Sequence, residues 1–403
     1  MINKISTKEL GSIMIVTGTE VGAGILALPI ITAKLGFFLS AIIMFIAWCL
    51  MTYTALLIAD ISLSMPKGSS FTSIAKQTLG LPGAVITWTI SVLLMYCISV
   101  AYISAAASTF NNLLTNFSYG ICAIVFVATL GSIVVIGTLA VDMVNRILLI
   151  IKIVFLVTAS FFLLQYLDIS NLMTRPLETG RSLAIAIPII ITSFASHIII
   201  PTLTQYLDKD AKALFRVIFY GTLIPLLLYL LWLAAILGML PLYGDVSFMN
   251  SIFNNTSITS VNVGNMLQAL NQKITTTMAT ISLTAFANIS VITSYLGVSL
   301  AFFHFNIDSY NLRCHTKISE KIIAIILTFI IPLCINIISP NFFINAISYV
   351  GICIGALFLT MPCLIAYKLS KTRYKFYYKI SQSRLLWLIT YISGIGIIAI
   401  NFV

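Results

Sequence analysis

Lys152 is an ionisable side chain inside an apolar stretch, where it could bind an anion or carry a proton. It follows Arg146 and lies in the run 147–162, which contains no acidic residue. Placing such a lysine inside a bilayer costs about 2.5 to 3.5 kcal/mol, so an intramembrane charge indicates a functional site by default. The alternative is a side chain that reaches back to the membrane interface, and the sequence leaves both interpretations open.

A glycine-rich segment surrounds a second ionisable residue. The segment reads Gly18-Thr19-Glu20-Val21-Gly22-Ala23-Gly24, and Pro29 follows it. Each glycine weakens a helix by about 1 kcal/mol relative to alanine, so the pattern predicts an interrupted helix. Unwound backbone here would leave amide groups free to bind an anion such as a carboxylate. Close packing of two helices at the GxxxG pair is the alternative explanation.

A third ionisable residue, His197, ends a polar segment between two prolines. The segment reads Thr192-Ser193-Phe194-Ala195-Ser196-His197, and Pro188 and Pro201 flank it. Proline removes a helical hydrogen bond, while polar side chains can satisfy the backbone groups that become free. We therefore expect a second broken helix, although a histidine that only packs inside the protein remains the alternative.

Two further stretches place polar side chains in apolar sequence. Tyr96 and Tyr102 could line a pocket or pack between helices. Polar residues between Thr284 and Ser299 form either an ion or proton site or hydrogen bonds to neighbouring helices.

The chain that positions these residues has the composition of a membrane protein. Of its 403 residues 60% are hydrophobic and 8% are charged, and the mean hydropathy is +1.08. Apolar runs recur that are long enough to cross a hydrocarbon core of about 30 Å as helices, without the alternation of a barrel strand. We predict an all-α membrane protein with about eleven transmembrane helices, at residues 10–33, 37–62, 84–110, 119–139, 147–167, 183–206, 214–240, 275–303, 321–338, 342–367 and 385–402.

The distribution of positive charge predicts the orientation of these helices. Most of the 22 lysines and arginines fall on the side of the N-terminus, which by the positive-inside rule is cytoplasmic, so the C-terminus is periplasmic. The net charge of +11 then reflects topology and requires no nucleic acid as a partner. The short termini favour a multi-pass protein of a bacterial inner membrane, in contact with lipid.

Several other classes of membrane protein are disfavoured by missing motifs. The sequence contains no HExxH, GxGD or GxSxG motif of an intramembrane protease, so we expect no enzyme. It also shows no repeated filter of a channel. Its seven cysteines have no metal-binding spacing, and we expect neither a metal nor another cofactor.

The positions of the two predicted breaks indicate a particular architecture. They fall in the first and sixth spans, which are corresponding members of two five-helix halves. Inverted repeats with broken first helices are typical of transporters that bind substrate at the breaks, near the bilayer midplane. We therefore expect one transporter domain with repeats at about 10–167 and 183–367, and an extra C-terminal helix at 385–402.

Three motifs also resemble a known family. They are Gly18-Thr19-x2-Gly22-Ala23-Gly24-x4-Pro29, Asn145-Arg146-x5-Lys152-Ile153 and Ile187-Pro188-x4-Ser193-Phe194-x2-His197-x3-Pro201. Together they resemble the hydroxy and aromatic amino acid permeases, and within them the tyrosine and tryptophan permeases, over about residues 11–398. The resemblance implies a symporter of the amino acid, polyamine and organocation superfamily that imports an aromatic amino acid with protons.

The resemblance also implies roles for individual residues. A lysine on the fifth helix stands between the first and eighth helices of proton-driven relatives, where sodium-driven relatives hold sodium, and Lys152 matches that placement. The substrate carboxylate would meet amides of the first break, its ammonium would meet carbonyls of the sixth helix, and its ring would pack on aromatic side chains. The expected substrate-binding residues are Gly18, Thr19, Glu20, Gly22, Ala23, Gly24, Tyr96, Tyr102, Phe194, Ala195, Ser196 and His197, and the expected proton-coupling residues are Lys152 and Glu20.

The chain departs from the family pattern at two positions. Relatives usually carry a threonine-like residue in place of Glu20, and Gly-Phe in place of Ala195-Ser196. We expect tyrosine as the substrate, with tryptophan or a hydroxy amino acid such as serine or threonine as alternatives. Glu20 could bind substrate or carry a second proton.

Overall fold

The described part of the protein is helical throughout its regular structure. A computed structural model describes residues 6–22, 24–66, 69–113, 117–173, 179–253, 263–310, 317–340, 342–372 and 374–400. Within these residues every regular element is a helix and no strand occurs. The predicted all-α class is therefore confirmed.

The described residues form seventeen α-helices that follow one another in chain order. They are α1 (Thr7–Glu20), α2 (Gly24–Thr32), α3 (Phe37–Ser64), α4 (Phe71–Leu113), α5 (Tyr119–Ile136), α6 (Thr138–Leu164), α7 (Ile169–Leu172), α8 (Thr179–Ser193), α9 (Ile200–Tyr206), α10 (Ala211–Met239), α11 (Val263–Lys273), α12 (Thr277–Tyr310), α13 (Lys317–Ile325), α14 (Ile331–Ile338), α15 (Phe343–Ile354), α16 (Met361–Ser370) and α17 (Arg384–Ile400).

The helical stretches correspond to the predicted membrane spans. In the described residues nine stretches are long and apolar enough to cross a membrane, and the bent pair α1 and α2 makes a tenth. The eleventh predicted span corresponds to the shorter apolar helix α17. The chain is thus a multi-pass membrane protein, and the division into two inverted repeats stays a prediction.

Local sequence explains where several helices begin. Ser6 caps α1 because its Oγ accepts from Glu9 N at 3.2 Å. Asp210 caps α10 in the same way, since its carboxylate accepts from Lys212 N and Ala213 N at 2.9 and 3.1 Å. Each cap satisfies backbone donors that have no partner inside the helix.

Prolines explain two wide turns near the C-terminal end. Short π-helical segments at Ile326–Ile330 and Gly355–Thr360 precede α14 and α16. Pro332 and Pro362 stand in the first turns of these two helices. Because proline offers no amide hydrogen and its ring crowds the preceding turn, the helix widens before it.

A separate helical segment precedes the predicted third span and runs into it. Helix α4 starts at Phe71 and bends at Gly80, whose φ is 77°. The residues before the bend include Lys76 and Gln77, so their polarity kept them out of the predicted span 84–110. A left-handed glycine and the following Pro82 set the bend between the two segments.

The helices can be divided into two groups that meet around the breaks and are joined by contacts of α10 with α6 and of α15 with both α4 and α8. In one group α1 packs against α10, α10 against α3, and α3 against α8 and α9. In the other, α12 packs against α4, α5 and α6, and α4 packs against α14. Glu9 joins α1 to α10 within the first group, because its carboxylate accepts from Arg216 at 2.6 and 3.2 Å.

Candidate functional site

The first span is interrupted between Glu20 and Gly24. Helices α1 and α2 meet at an angle of 50°. Val21 leaves helical geometry at ψ 66°, and Gly22 N donates to the Glu20 carbonyl at 2.6 Å. A Cβ on Gly22 would lie 2.8 Å from the Ser294 Oγ, so glycine lets this break approach α12 closely. The predicted break is therefore confirmed.

The sixth span is interrupted after Ser193. Helix α8 ends there, a single 3₁₀ turn spans His197–Ile199, and α9 begins at Ile200 with Pro201 in its first turn. Short-range bonds close the intervening backbone, from Phe194 N to Ile191 O at 3.1 Å and from Ala195 N to Thr192 O at 3.2 Å. The second predicted break is confirmed as well.

A hydroxyl on α10 links the two breaks. Tyr229 is fully buried, and its OH lies 2.6 Å from the Glu20 carbonyl and 2.8 Å from the Ser193 carbonyl. Both carbonyls come from the last residue of an interrupted helix, where intrahelical donors run out. A side-chain bond adds a second link, since Ser196 Oγ donates to Glu20 Oε1 at 2.7 Å. Tyr229 was not among the predicted site residues, because a tyrosine in an apolar helix is typical of packing.

Lys152 reaches the first break from α6. Its Nζ donates to the Val21 carbonyl at 2.6 Å and lies 3.4 Å from Thr293 Oγ1 on α12. The residue is 1% exposed, so its ammonium does not reach the membrane interface. The structure thus places Lys152 between the first, fifth and eighth spans, where the family resemblance put it.

A cavity of about 480 Å³ lies between the two groups of helices, at the breaks. Its polar wall comes from the breaks, α6 and α12, and its apolar wall from Leu94, Met95 and Ile98 of α4 and Ile347, Val350 and Ile354 of α15. Pockets for small organic ligands have this size and this mixture of apolar wall and few polar groups.

The cavity extends away from the breaks in one direction. It runs along α1 from the break back to Ile15 and Met14, and along α6 to Arg146. Met14 is 44% exposed and Ile15 is 48% exposed, so the wall is accessible at this end. The accessible end lies on the side of the membrane that holds the beginning of α1.

Most of the predicted site residues line this cavity. The lining includes Gly18, Thr19, Glu20, Gly22, Gly24, Tyr102, Lys152 and Ala195. The Tyr102 hydroxyl interacts with Ser294, which lines the cavity as well. Ala23 lies outside the described residues. The structure therefore brings both predicted breaks, the lysine and one predicted tyrosine to a single cavity.

The other predicted residues lie behind the cavity wall. Phe194 is 1% exposed and packs edge-on against the Tyr229 ring. Tyr96 packs edge-on against Phe302 with ring centroids 4.8 Å apart. Ser196 reaches the cavity only through its bond to Glu20. Direct substrate contacts by these three residues stay predictions.

His197 also supports the wall from behind. Its Nε2 is 2.7 Å from Thr54 Oγ1, and its ring stacks on Phe358 with an interplanar angle of 15°. Phe358 itself lines the cavity. In this arrangement the histidine positions an aromatic wall residue, and its predicted contact with substrate stays a prediction.

Comparison with known sequences agrees with this geometry. The model of the tryptophan/tyrosine permease family matches residues 5–401. The chain belongs to this family. The matched residues include both breaks, Lys152 and the residues that line the cavity. The match agrees with the resemblance that the three sequence motifs carry.

The relatives of this permease are named for different substrates. Tyrosine-specific transport system 1 of Haemophilus influenzae is 28% identical to this chain, and the match covers 98% of this chain and 96% of the relative's length. Glutamine transporter 2 of Aliivibrio fischeri is 29% identical and covers 90% of each chain. The tryptophan-specific transport protein of Haemophilus influenzae is also 29% identical, over 94% of this chain and 92% of its own.

Proposed function

We propose that this chain imports an aromatic amino acid together with protons across a bacterial inner membrane. Its family and its tyrosine- and tryptophan-specific relatives support the substrate class. The apolar wall formed by α4 and α15, with Tyr102 and Phe358, supplies a surface on which an aromatic ring can pack. Tyrosine is the leading candidate, and the transport domain comprises the whole chain.

Glutamine is a second candidate substrate. A relative named a glutamine transporter is 29% identical to this chain, which is the identity of the tryptophan-specific relative. The sequence identity therefore does not decide whether the substrate has an aromatic or an amide side chain. Uptake of labelled tyrosine is measured in the presence of excess unlabelled tryptophan, glutamine or serine. An amino acid lowers this uptake only if it competes for the same cavity.

We place the substrate carboxylate at the start of α2. Gly22 and Gly24 line the cavity there, and an α-helix presents unpaired amides and a partial positive charge at its N-terminus. The aromatic side chain then extends toward α4 and α15. We place the accessible end of the cavity in the cytoplasm, because the positive charges put the start of α1 on that side. The structure then corresponds to the state that releases substrate into the cell.

The observation that carries the coupling proposal is the bond from Lys152 to the first break. Its ammonium holds the Val21 carbonyl at 2.6 Å and faces Thr293, so the cation joins α6 and α12 to the interrupted helix. Loss of the proton removes the charge from a buried contact and weakens the link between the two helix groups. Proton binding and movement of the groups are then coupled, as alternating access by a symporter requires.

Transport by reconstituted protein tests the coupling. In proteoliposomes we expect an imposed proton gradient, and not a sodium gradient, to drive accumulation of tyrosine. Lys152→Ala should abolish that accumulation while retaining exchange of labelled for unlabelled substrate. Lys212→Ala, at an exposed position in α10, is the matched control and should accumulate substrate normally. Undiminished accumulation by Lys152→Ala would reject the assigned role.

A further inference from the structure

We propose that the Glu20 carboxylate binds the α-ammonium of the transported amino acid. The inference rests on the proposed function only in that the substrate is an amino acid. It names the group of the protein that accepts the amino acid's ammonium. It replaces the expectation that carbonyls of the sixth span hold the ammonium.

Glu20 lines the cavity and has one carboxylate oxygen without a hydrogen-bond partner among the described residues. Glu20 is the last residue of α1, is 4% exposed and lines the cavity. Its Oε1 accepts from Ser196 Oγ at 2.7 Å, whereas its Oε2 is buried with no hydrogen-bond partner among the described residues. A buried carboxylate oxygen without a donor is strongly destabilising, so the site is incomplete until a donor arrives.

Three backbone carbonyls at the two breaks already face donors of the chain itself. The Val21 carbonyl accepts from Lys152 Nζ, and the Glu20 carbonyl accepts from Gly22 N and from the Tyr229 hydroxyl. The Ser193 carbonyl faces the same Tyr229 hydroxyl at 2.8 Å. An arriving ammonium would therefore compete with the chain's own donors at each of these carbonyls. Glu20 Oε2 offers an acceptor without such competition.

The charges around the cavity favour the same pairing. Among the described residues that line it, the charged ones are Glu20, Arg146 and Lys152, so Glu20 supplies the negative charge. The negative C-terminal end of α1 and the positive N-terminal end of α2 also meet across one short break. A zwitterionic headgroup fits this break with its ammonium at Glu20 and its carboxylate at the start of α2.

A pair of ligands that differ only in the amino group tests the inference. Binding of tyrosine and of its deaminated analogue 3-(4-hydroxyphenyl)propionate is measured on the purified full chain and on Glu20→Gln. Glutamine keeps the size of the side chain and an acceptor for Ser196, but it removes the charge. We expect Glu20→Gln to weaken tyrosine binding by about 10- to 100-fold, as loss of a charge-assisted hydrogen bond predicts. Binding of the analogue should change little.

Two further variants separate recognition from general damage. Glu9→Gln makes the same substitution on the same helix, at a buried carboxylate paired with Arg216, and should leave the ratio of the two affinities unchanged. Glu20→Asp keeps the charge and should retain the preference for tyrosine over the analogue. It also provides a measurement if Glu20→Gln does not fold.

The possible results have distinct meanings. An equal loss of affinity for both ligands in Glu20→Gln, or no loss for either, overturns the inference. A wild-type protein that transports tyrosine but binds the analogue equally well also overturns it, and leaves the proposed function intact. A wild-type protein that binds none of tyrosine, tryptophan, glutamine and serine overturns the proposed function and the inference together.

Discussion

Tyr229 determines how the two breaks are held together, although its side chain has a single hydrogen to donate. That hydrogen lies within reach of two buried carbonyls, at Glu20 and Ser193. Phenylalanine would keep the ring and its edge-on contact with Phe194 but remove the donor. The buried Ser193 carbonyl would then lose this partner, at a cost of about 1–3 kcal/mol.

We therefore predict that Tyr229→Phe lowers both the unfolding temperature and the affinity for substrate. Thermal unfolding in detergent and uptake kinetics measure the two effects. KM should rise because the two breaks are no longer held in fixed positions relative to each other. Tyr220→Phe, the same substitution at an exposed position of α10, is the control. A Tyr229→Phe protein as stable as that control would contradict the bridging role.

Lys152 and Glu20 could be predicted as site residues from the sequence, whereas Tyr229 could not. Lys152 and Glu20 are conspicuous because a charge in an apolar run requires a partner or a function. Tyr229 carries no such signal, because its partners are carbonyls that become free only where two other helices are interrupted. The same limit explains why the sequence did not show that the Phe194 ring packs against Tyr229 behind the cavity wall.

The breaks themselves could be predicted because glycine and proline act on the local backbone. The wide turns before Pro332 and Pro362 have the same origin, yet the sequence analysis treated the ninth and tenth spans as continuous. A single proline in a membrane helix is tolerated by several local adjustments. Which adjustment occurs depends on the packing of neighbouring helices, and that information is not local.

The contact between α8 and α15 is one such packing constraint. A Cβ on Gly351 would lie 2.5 Å from Pro188 Cβ and 2.7 Å from the Pro188 carbonyl oxygen. Neither helix can yield by rotating a flexible side chain, because the contact is with backbone and a proline ring. Alanine at this position must move α15, which carries the cavity wall residues Ile347, Val350 and Ile354.

We predict that Gly351→Ala destabilises the protein by about 1–3 kcal/mol through overpacking and slows uptake. Gly396→Ala is a suitable control, since a Cβ there meets no atom within 4 Å. Unfolding temperature and initial uptake rate are measured for both variants. Wild-type stability and transport in Gly351→Ala would show that α15 moves freely relative to α8.

The two groups of helices give the breaks a role in motion. The bond from Glu9 to Arg216 keeps α1 with α10, while Lys152 connects the first break to α6 and α12 of the other group. The cavity lies between the groups and is accessible along α1. A relative movement of the groups would close this end. If this state releases substrate into the cell, its accessible end faces the cytoplasm.

Accessibility of a single cysteine tests this orientation. Met14 lies at the accessible end of the cavity and is 44% exposed. In a background with the seven native cysteines replaced by alanine, Met14→Cys should react with a membrane-impermeant maleimide in inside-out vesicles and not in right-side-out vesicles. Ser170→Cys, exposed on the short helix α7 that follows α6, should show the opposite pattern, because α6 crosses the membrane between the two sites. Tyrosine in the cavity should slow labelling of Met14→Cys and leave that of Ser170→Cys unchanged. Labelling of Met14→Cys only from the outside would reverse the assigned orientation, and the described state would then be the one that admits substrate.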